Sequence, residues 1–499
     1  ENGDISGCVG AAMMLAPMGA GAITPTKPEG NGTEENPYQI GTVDELYWFA
    51  GQVNSGNTGI CAKLMDDIVI QTDVLDTDGN LINGGSGLEE WTPIGNNSAA
   101  YTGTFDGMGN DGKVHTISGL YVDSSEVKVG LFGNVNSGTI KNVGVKDSYI
   151  SGSGRYVGGV CGQSVNSRIE NCYNEGIVIG RGSNAVIGGV CGQNISIIEN
   201  SYNTGKVNGN IAGGVCGGSN GMIESCYNTG KVSGNTAGGV CGVAMCRIKN
   251  CCNKGTVTGT GNVGGVCGQN DSINPIENSY NTGTVNGTNA GGVSGYNNFG
   301  TITNCYFLSG TAGNGIGTGS GTVTNVEEKD NRAFSFGEVA WLLNEGQEPK
   351  PWGQGTNGSP VLVNHLPAGV TYKMPVRIKI VMPDGITEQY GYTTAGSVLP
   401  MSAYPEGYAF YGDQSLINIG EKTYNNDTTI YAKNAGETTG ITLNPTTLSL
   451  YVNDTETLTA TVAPVTASQV LKWESSNLSV ATVDQNGKVT AVGKGTATI

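Results

Sequence analysis

The segment Gly-Gly-Val-Cys-Gly begins at Gly158, Gly188, Gly213, Gly238 and Gly264 and returns as Gly-Gly-Val-Ser-Gly at Gly291, so successive starts lie 30, 25, 25, 26 and 27 residues apart. A degenerate earlier copy is Val129-Gly130-Leu131-Phe132-Gly133. Each copy is followed by a second phrase, Ile-Glu-Asn-Cys-Tyr-Asn from Ile169 and its variants from Ile198, Ile223, Ile248, Ile276 and Ile302. A third, shorter phrase such as Gly205-Lys206-Val207 completes the unit. These apolar runs are too short and too glycine-rich for helices, which average about 11–12 residues. One such unit cannot bury its apolar face alone, whereas stacked copies share a continuous core. The repeat therefore predicts an all-β chain built on a right-handed parallel β-solenoid, with like residues about 4.8 Å apart on successive coils.

Stacking turns the repeat into columns. One holds Cys161, Cys191, Cys216, Cys241 and Cys267 and ends in Ser294; a second holds Cys172, Ser201, Cys226, Cys251, Ser279 and Cys305. Exchange of Cys with Ser implies a position that wants a small side chain, not a particular reactivity. Asn174, Asn203, Asn228, Asn253 and Asn281 form a third column, suited to an amide ladder along the coils. Tyr173, Tyr202, Tyr227 and Tyr280 form a fourth, interrupted by Cys252.

Charge narrows the partners. The formal net charge is −17 with 25 Lys and Arg, and the six arginines are scattered. Nucleic-acid binding needs clustered cations to displace counterions, so no nucleic-acid partner is expected, and anionic membrane surfaces are disfavoured likewise. No apolar run reaches the ~18 residues of a membrane span, so no membrane insertion is expected of this segment. The stretch Cys8–Ala22 resembles the apolar core of a secretory signal ending in Ala20-Gly21-Ala22, but lacks a basic lead, and reads as a clipped signal. With 83 glycines and no G-x-y period, collagen is excluded.

The unit Gly-Gly-Val-Cys-Gly followed by Ile-Glu-Asn-Cys-Tyr-Asn-Thr-Gly resembles the GLUG-motif repeat of bacterial surface proteins, from about Val129 to Gly310. Glu35–Ile40, a short helix expected over Val43–Val53, Trp91–Gly95 and Phe105–Gly107 resemble the usual lead-in, although Asn110–Val114 intervene before His115–Leu120. Gly337–Leu343 and Pro351–Gln354 resemble the usual exit, where a cap would cover the open coil edge. Arg377–Lys433 is similar to an internalin-type B-repeat, a small β-grasp module, through Glu406–Phe410 and Asp427–Lys433, without the family's usual tryptophan. From Gly440 the chain resembles a group 2 bacterial immunoglobulin-like domain, through Trp473–Asn477, Ser479–Val483 and Asn486–Val492; Trp473 is its expected core anchor and a further strand is expected beyond Ile499. These resemblances imply a leader over 1–33, an N-terminal cap and first turns over 34–128, GLUG-like repeats over 129–310 and a C-terminal cap with a short helix over 311–366. A β-grasp module over 370–434 and an incomplete Ig-like β-sandwich over 440–499 follow.

Thirteen cysteines in a chain read as secreted invite a disulfide framework or a metal cluster. Stacked cysteines point the same way and lack the converging Cβ vectors of a disulfide, and a straight column does not supply a zinc tetrahedron. Buried free thiols are the reading taken. Glu170, Glu199, Glu224 and Glu277 share a column with Lys249; it could hold Ca²⁺ through oxygen ligands, but a solvated outer face is expected, with no metal or cofactor. His115 and His365 have no nucleophile phrase nearby, and Asp106 reads as a turn residue. No catalytic residues are identified. By analogy with these modules, the expected function is a non-catalytic adhesin or display protein, secreted or on a bacterial cell surface, binding an extracellular glycan or protein. Its alternatives are a stalk of a larger secreted enzyme or a carbohydrate-active solenoid. Exposed aromatics on the solenoid turns or in the first hundred residues are the candidate glycan contacts.

Overall fold

The computed structural model describes residues 23–271, 273–412, 415–436, 438–465 and 467–499; the apolar stretch Cys8–Ala22 lies outside the described residues. The described chain falls into two compact units, one ending at Gly218 and one running from Ser219, and each contains a stack of parallel β-coils.

In the first unit every coil contributes short strands that pair in parallel and in register with the next coil. Tyr149–Gly152 lies between Tyr121–Ser124 and Ile177–Gly180, and Tyr156–Gly158 between Lys128–Val129 and Val186–Gly188. Cys161–Glu170 lies on Cys191–Glu199 with Cys161 opposite Cys191 and Glu170 opposite Glu199. The two-residue alternation of strands sends Val157, Val160, Ile169, Val190 and Ile198 into a core where none is exposed. Ahead of the repeats, helix α1 (Val43–Asn54) starts from a capping box in which Thr42 and Glu45 satisfy each other's backbone N–H. Its buried Phe49 meets Tyr101 and Phe105 with ring centroids 6.0 and 5.6 Å apart. The aromatic residues proposed as displayed glycan contacts in the first hundred positions are therefore partly core: Phe49 and Trp91 are buried, and the Trp91 indole donates to Leu131 O at 3.2 Å.

The second unit repeats the pattern. Cys241 lies opposite Cys267 and Cys267 opposite Ser294, and Asn228, Asn253 and Asn281 are in register. Thr322–Lys329 adds a further layer on Thr301–Leu308, followed by α2 (Asn331–Ser335) and α3 (Glu338–Leu343). The exit segment then runs back along the flank of the coils, not only over their end. Trp352 packs on Tyr280, centroids 5.5 Å apart, its indole nitrogen reaches Asn250 Oδ1 at 3.3 Å, and His365 lies beside Tyr227. The exchange of Tyr for Cys at 252 falls where this strap crosses.

Beyond it, Glu388–Thr394, Pro375–Val381, Thr428–Asn434, Tyr408–Gly412 and Ser415–Leu416 form one mixed sheet in that order. One face packs on Leu399, Tyr404, Ile419 and Tyr424, and the helical turn described there is the 3₁₀ segment Met401–Ala403. At the C-terminus lie two small sheets, Gly440–Asn444 with Thr459–Ala463, and Thr455–Thr457 with Lys488–Ala491 and Ala481–Val483. Trp473, expected as the anchor of this module, is only half-buried; Gly487 lies against its ring.

The coil corners explain two phrases. The first asparagine of Ile-Glu-Asn-Cys-Tyr-Asn is left-handed throughout: Asn171 at φ 51°, Asn250 at 53°, Asn278 at 50° and Asn304 at 50°. Asparagine tolerates this region better than other side-chain-bearing residues, so the corner selects it. Ser225 occupies the same corner at φ 54° without that tolerance. Ser225→Asn is therefore expected to raise stability by about 0.5–1 kcal/mol, and Asn278→Val to lower it by about 1–2 kcal/mol. Thermal melts of the two variants check this; an unchanged or lower midpoint for Ser225→Asn would contradict it. The second glycine of Gly-Gly-Val-Cys-Gly is a matter of space: a Cβ on Gly239 would collide with Gly265 O and the Asn253 side chain.

Candidate functional site: side-chain columns and a charged row

The cysteine columns are hydrogen-bonding devices. In the first, each side chain donates to the carbonyl two residues ahead: Cys161 to Gln163 O at 3.1 Å, Cys191 to Gln193 O at 3.3 Å, Cys216 to Gly218 O at 3.1 Å. Cys241 to Val243 O at 3.3 Å, Cys267 to Gln269 O at 3.2 Å and Ser294 to Tyr296 O at 3.1 Å follow suit. In the second, the donation goes two residues back: Cys172 to Glu170 O at 3.2 Å, Ser201 to Glu199 O at 2.8 Å, Cys226 to Glu224 O at 3.2 Å. Cys251 to Lys249 O at 3.2 Å, Ser279 to Glu277 O at 2.8 Å and Cys305 to Thr303 O at 3.3 Å complete it. Within the repeats the position takes a small side chain that is also a donor, Cys or Ser, whereas the flanking coils place Phe132, Ile316 and Val326 in the same register. The twelve described cysteines are unbridged and buried. Burial pushes the thiols of Cys172, Cys246 and Cys305 up to about 12 and that of Cys252 to about 11, far from the thiolate a nucleophile needs.

The asparagine column is saturated. The Asn174 amide donates to Gly176 O at 2.9 Å and to Asn203 Oδ1 at 2.8 Å. In the second unit Asn228 donates to Gly230 O and Asn253 Oδ1, each at 2.8 Å. Asn253 in turn donates to Gly255 O at 2.7 Å and Asn281 Oδ1 at 2.8 Å, and Asn281 to Gly283 O at 2.8 Å. These amides hold corner and ladder together.

The glutamates belong to a longer row of mixed sign. In the first unit, parallel pairing aligns Gln39, Lys63, Asp106, Lys141, Glu170 and Glu199. Lys141 Nζ lies 3.2 Å from Asp106 Oδ2, and Arg168 bridges Glu170, at 3.0 Å, and Glu199. In the second unit Lys249 sits 3.8 Å from Glu224 and Arg247 Nε donates to Glu277 Oε1 at 2.7 Å. The outer face expected to be solvated is instead half-buried and internally neutralised, and among the described residues no cluster of three metal-ligating groups occurs. Lys63, Lys141, Arg168 and Arg247 escaped sequence reasoning, because the lysines precede the repeat and the arginines stand two residues before the row, Arg168 ahead of Glu170 and Arg247 ahead of Lys249.

A polar cleft of about 570 Å³ opens beside the start of the row, lined by Glu34, Glu35, Lys63, Asp106, Asn110 and Lys141 among others. Lys63 donates to Asn110 Oδ1 at 2.9 Å. Asp106 caps its own turn by accepting from Met108 N at 2.9 Å and also accepts from Asn142 at 2.8 Å. Both ring nitrogens of buried His115 face aspartates, Asp67 at 3.7 Å and Asp111 at 3.4 Å. Burial pushes His365 down to about 4. Among the described residues no helix is long and apolar enough to cross a membrane.

Residues 153–179 and 183–208 match the GLUG motif, and residues 437–499 match the bacterial Ig-like domain (group 2). The chain is 35% identical over 153 residues, 30% of its length, to Halomucin of Haloquadratum walsbyi. It is 33% identical over 143 residues, 28% of its length, to Lacto-N-biosidase of Bifidobacterium bifidum. The matched segments span 2% and 12% of those two proteins. A crystal structure from Bacteroides ovatus, provisionally described as an immunoglobulin A1 protease, aligns over 67% of this chain and 94% of its own at 21% identity and a TM-score of 0.41. In-register coils, a corner asparagine and a glycine pair cleared for the amide ladder are what the recurring phrases encode, and the chain is a β-solenoid with two segments that match the GLUG motif, followed by a segment that matches the group 2 bacterial Ig-like domain.

Proposed function

We propose that the chain is a non-catalytic display protein, secreted or held at a bacterial cell surface, whose coils present a surface that binds an extracellular glycan or protein. The observation that carries this reading is where the reactive groups go. The column thiols and asparagine amides bond to backbone or to each other along the coils, and the row carboxylates are engaged by lysines of the row and by arginines beside it. Groups so engaged build a surface; they are not free to take or give protons at a substrate. The similarity to Halomucin and the Ig-like module support extracellular display.

A second reading is kept because one segment is similar to part of a protein named for hydrolysis, Lacto-N-biosidase: the chain is then a stalk or accessory region of a larger secreted enzyme. Arrays of glycans and matrix proteins test both. Retention of the purified chain on a defined subset, with no release of sugar from lacto-N-tetraose and no cleavage of immunoglobulin A, is the expected result. Turnover of either substrate would remove the non-catalytic reading, and an array with no retention would favour the stalk.

A further inference from the structure

We infer that the outer face of the mixed sheet formed by Pro375–Val381, Glu388–Thr394, Thr428–Asn434 and Tyr408–Gly412 is a binding surface for a carboxylated polysaccharide. This rests on the display reading above and names its ligand class. The sheet's other face is core. The outer one leaves Tyr390 and Tyr431 each 43% exposed, on strands two apart with Pro375–Val381 between them. Tyr411 stands directly opposite Tyr431 on the next strand. Contiguous aromatic surface of this kind marks interaction sites, and tyrosine offers a ring face to a sugar; the Tyr390 hydroxyl itself donates to Glu388 Oε2 at 2.6 Å.

The cations on this face point to the sign of the ligand. Arg377 is held between the rings of Trp341 and Tyr390, 3.8 and 4.9 Å from their centroids, and Lys433 sits 4.5 Å over Tyr411. Neither is among the ion pairs found in the described residues, although the chain carries 42 Asp and Glu. Lys379, between them, is paired with Glu388. Carboxylates that do approach are already committed: Asp427 accepts from the Trp341 indole at 2.9 Å and from Arg377 N at 2.8 Å. From the pairing of Val381 with Tyr431, Arg377 and Lys433 are six residues apart along parallel strands, roughly 20 Å at the rise of a strand. That separation suits an extended polymer with spaced charges better than a single sugar. The net charge of −17 does not oppose this, since fields are screened beyond about 8 Å at physiological salt.

The test uses the full chain, with polygalacturonate as probe and neutral dextran and polyglutamate as comparisons, by biolayer interferometry at 50 and 500 mM NaCl. Polygalacturonate is expected to bind, at least tenfold more weakly at the higher salt, with little response from the other two. Tyr431→Ser combined with Lys433→Glu should weaken binding at least tenfold without moving the melting midpoint, and Lys433→Arg should retain it. Unchanged binding by the double variant overturns the proposal. So does equal or better binding of dextran, which would make the charge irrelevant, or of polyglutamate, which would point to an acidic polypeptide. A wild type retained on the arrays that ignores polygalacturonate also overturns it and leaves the display reading intact; failure on both removes the two together.

Discussion

Replacing Asn253 by Asp is expected to destabilise the second coil stack by about 4 kcal/mol at pH 7. Asn253 is fully buried and uses its whole bonding capacity. Its amide donates to Gly255 O and Asn281 Oδ1, and its oxygen accepts from Gly255 N at 3.2 Å and Asn228 at 2.8 Å. Aspartate keeps the acceptor side but sets an oxygen against two oxygens. Each buried group left without its partner costs about 1–3 kcal/mol, and an ionised carboxylate there costs more. The carboxyl is therefore expected to titrate above its unfolded value near 3.9. The sign follows: an acid whose folded pKa is raised contributes most at low pH and loses stability as pH rises, so the deficit shrinks between pH 7 and pH 4. Urea midpoints at the two pH values measure this, with exposed Asn425→Asp as a control expected within about 0.5 kcal/mol of wild type. If Asn253→Asp melts with wild type at pH 7, the amide column is open to water and its role as an internal brace is gone.

Alkali should be as damaging. Burial raises Cys246 and Cys305 from the ordinary 9.0 to about 12, and Cys252 to about 11. A group whose folded pKa lies above its unfolded one contributes stability that is complete below pH 9 and drains away up to the folded value. Each thiol then loses about 1.4 kcal/mol per pH unit inside that window, or about 2 kcal/mol by pH 10.5. Three such thiols in the unit from Ser219 remove about 6 kcal/mol, a large share of the 5–15 kcal/mol that holds a typical domain together. The denaturation midpoint should accordingly be flat from pH 7 to 8.5 and fall steeply by pH 10.5. Cys305→Ser, which places in that column the donor already used by Ser201 and Ser279, should flatten the fall by one thiol's share. At pH 8 the native protein should leave its described thiols unreactive, and denaturant should release all 13. A flat alkaline profile, or far fewer than 13 titratable thiols after denaturation, would contradict the buried-thiol account.

Much of this was readable before any coordinates. Because each coil is its neighbour's template, the register of Cys161 on Cys191, Cys241 on Cys267 and Asn253 on Asn281 follows from the repeat itself. The exchange of Cys with Ser already showed that size mattered there and reactivity did not. The helix expected over Val43–Val53 from the resemblance of the lead-in runs over Val43–Asn54. The left-handed corner at Asn171 and its equivalents has a signal too, a recurrent Asn or Ser at the third place of the second phrase.

Tertiary structure alone decided the rest. Lys63, Asp106 and Lys141 carry no period, and only parallel pairing of unlike coils brings them into one row. Trp352 and His365 fold back onto Tyr280 and Tyr227, and Trp341 onto Arg377, as contacts between segments with no shared pattern. The physical reason is common to all of these. A repeated sequence specifies its own nearest neighbours, since identical side chains stacked at strand spacing satisfy one another, whereas docking between dissimilar segments depends on shape and charge that exist only once both have folded.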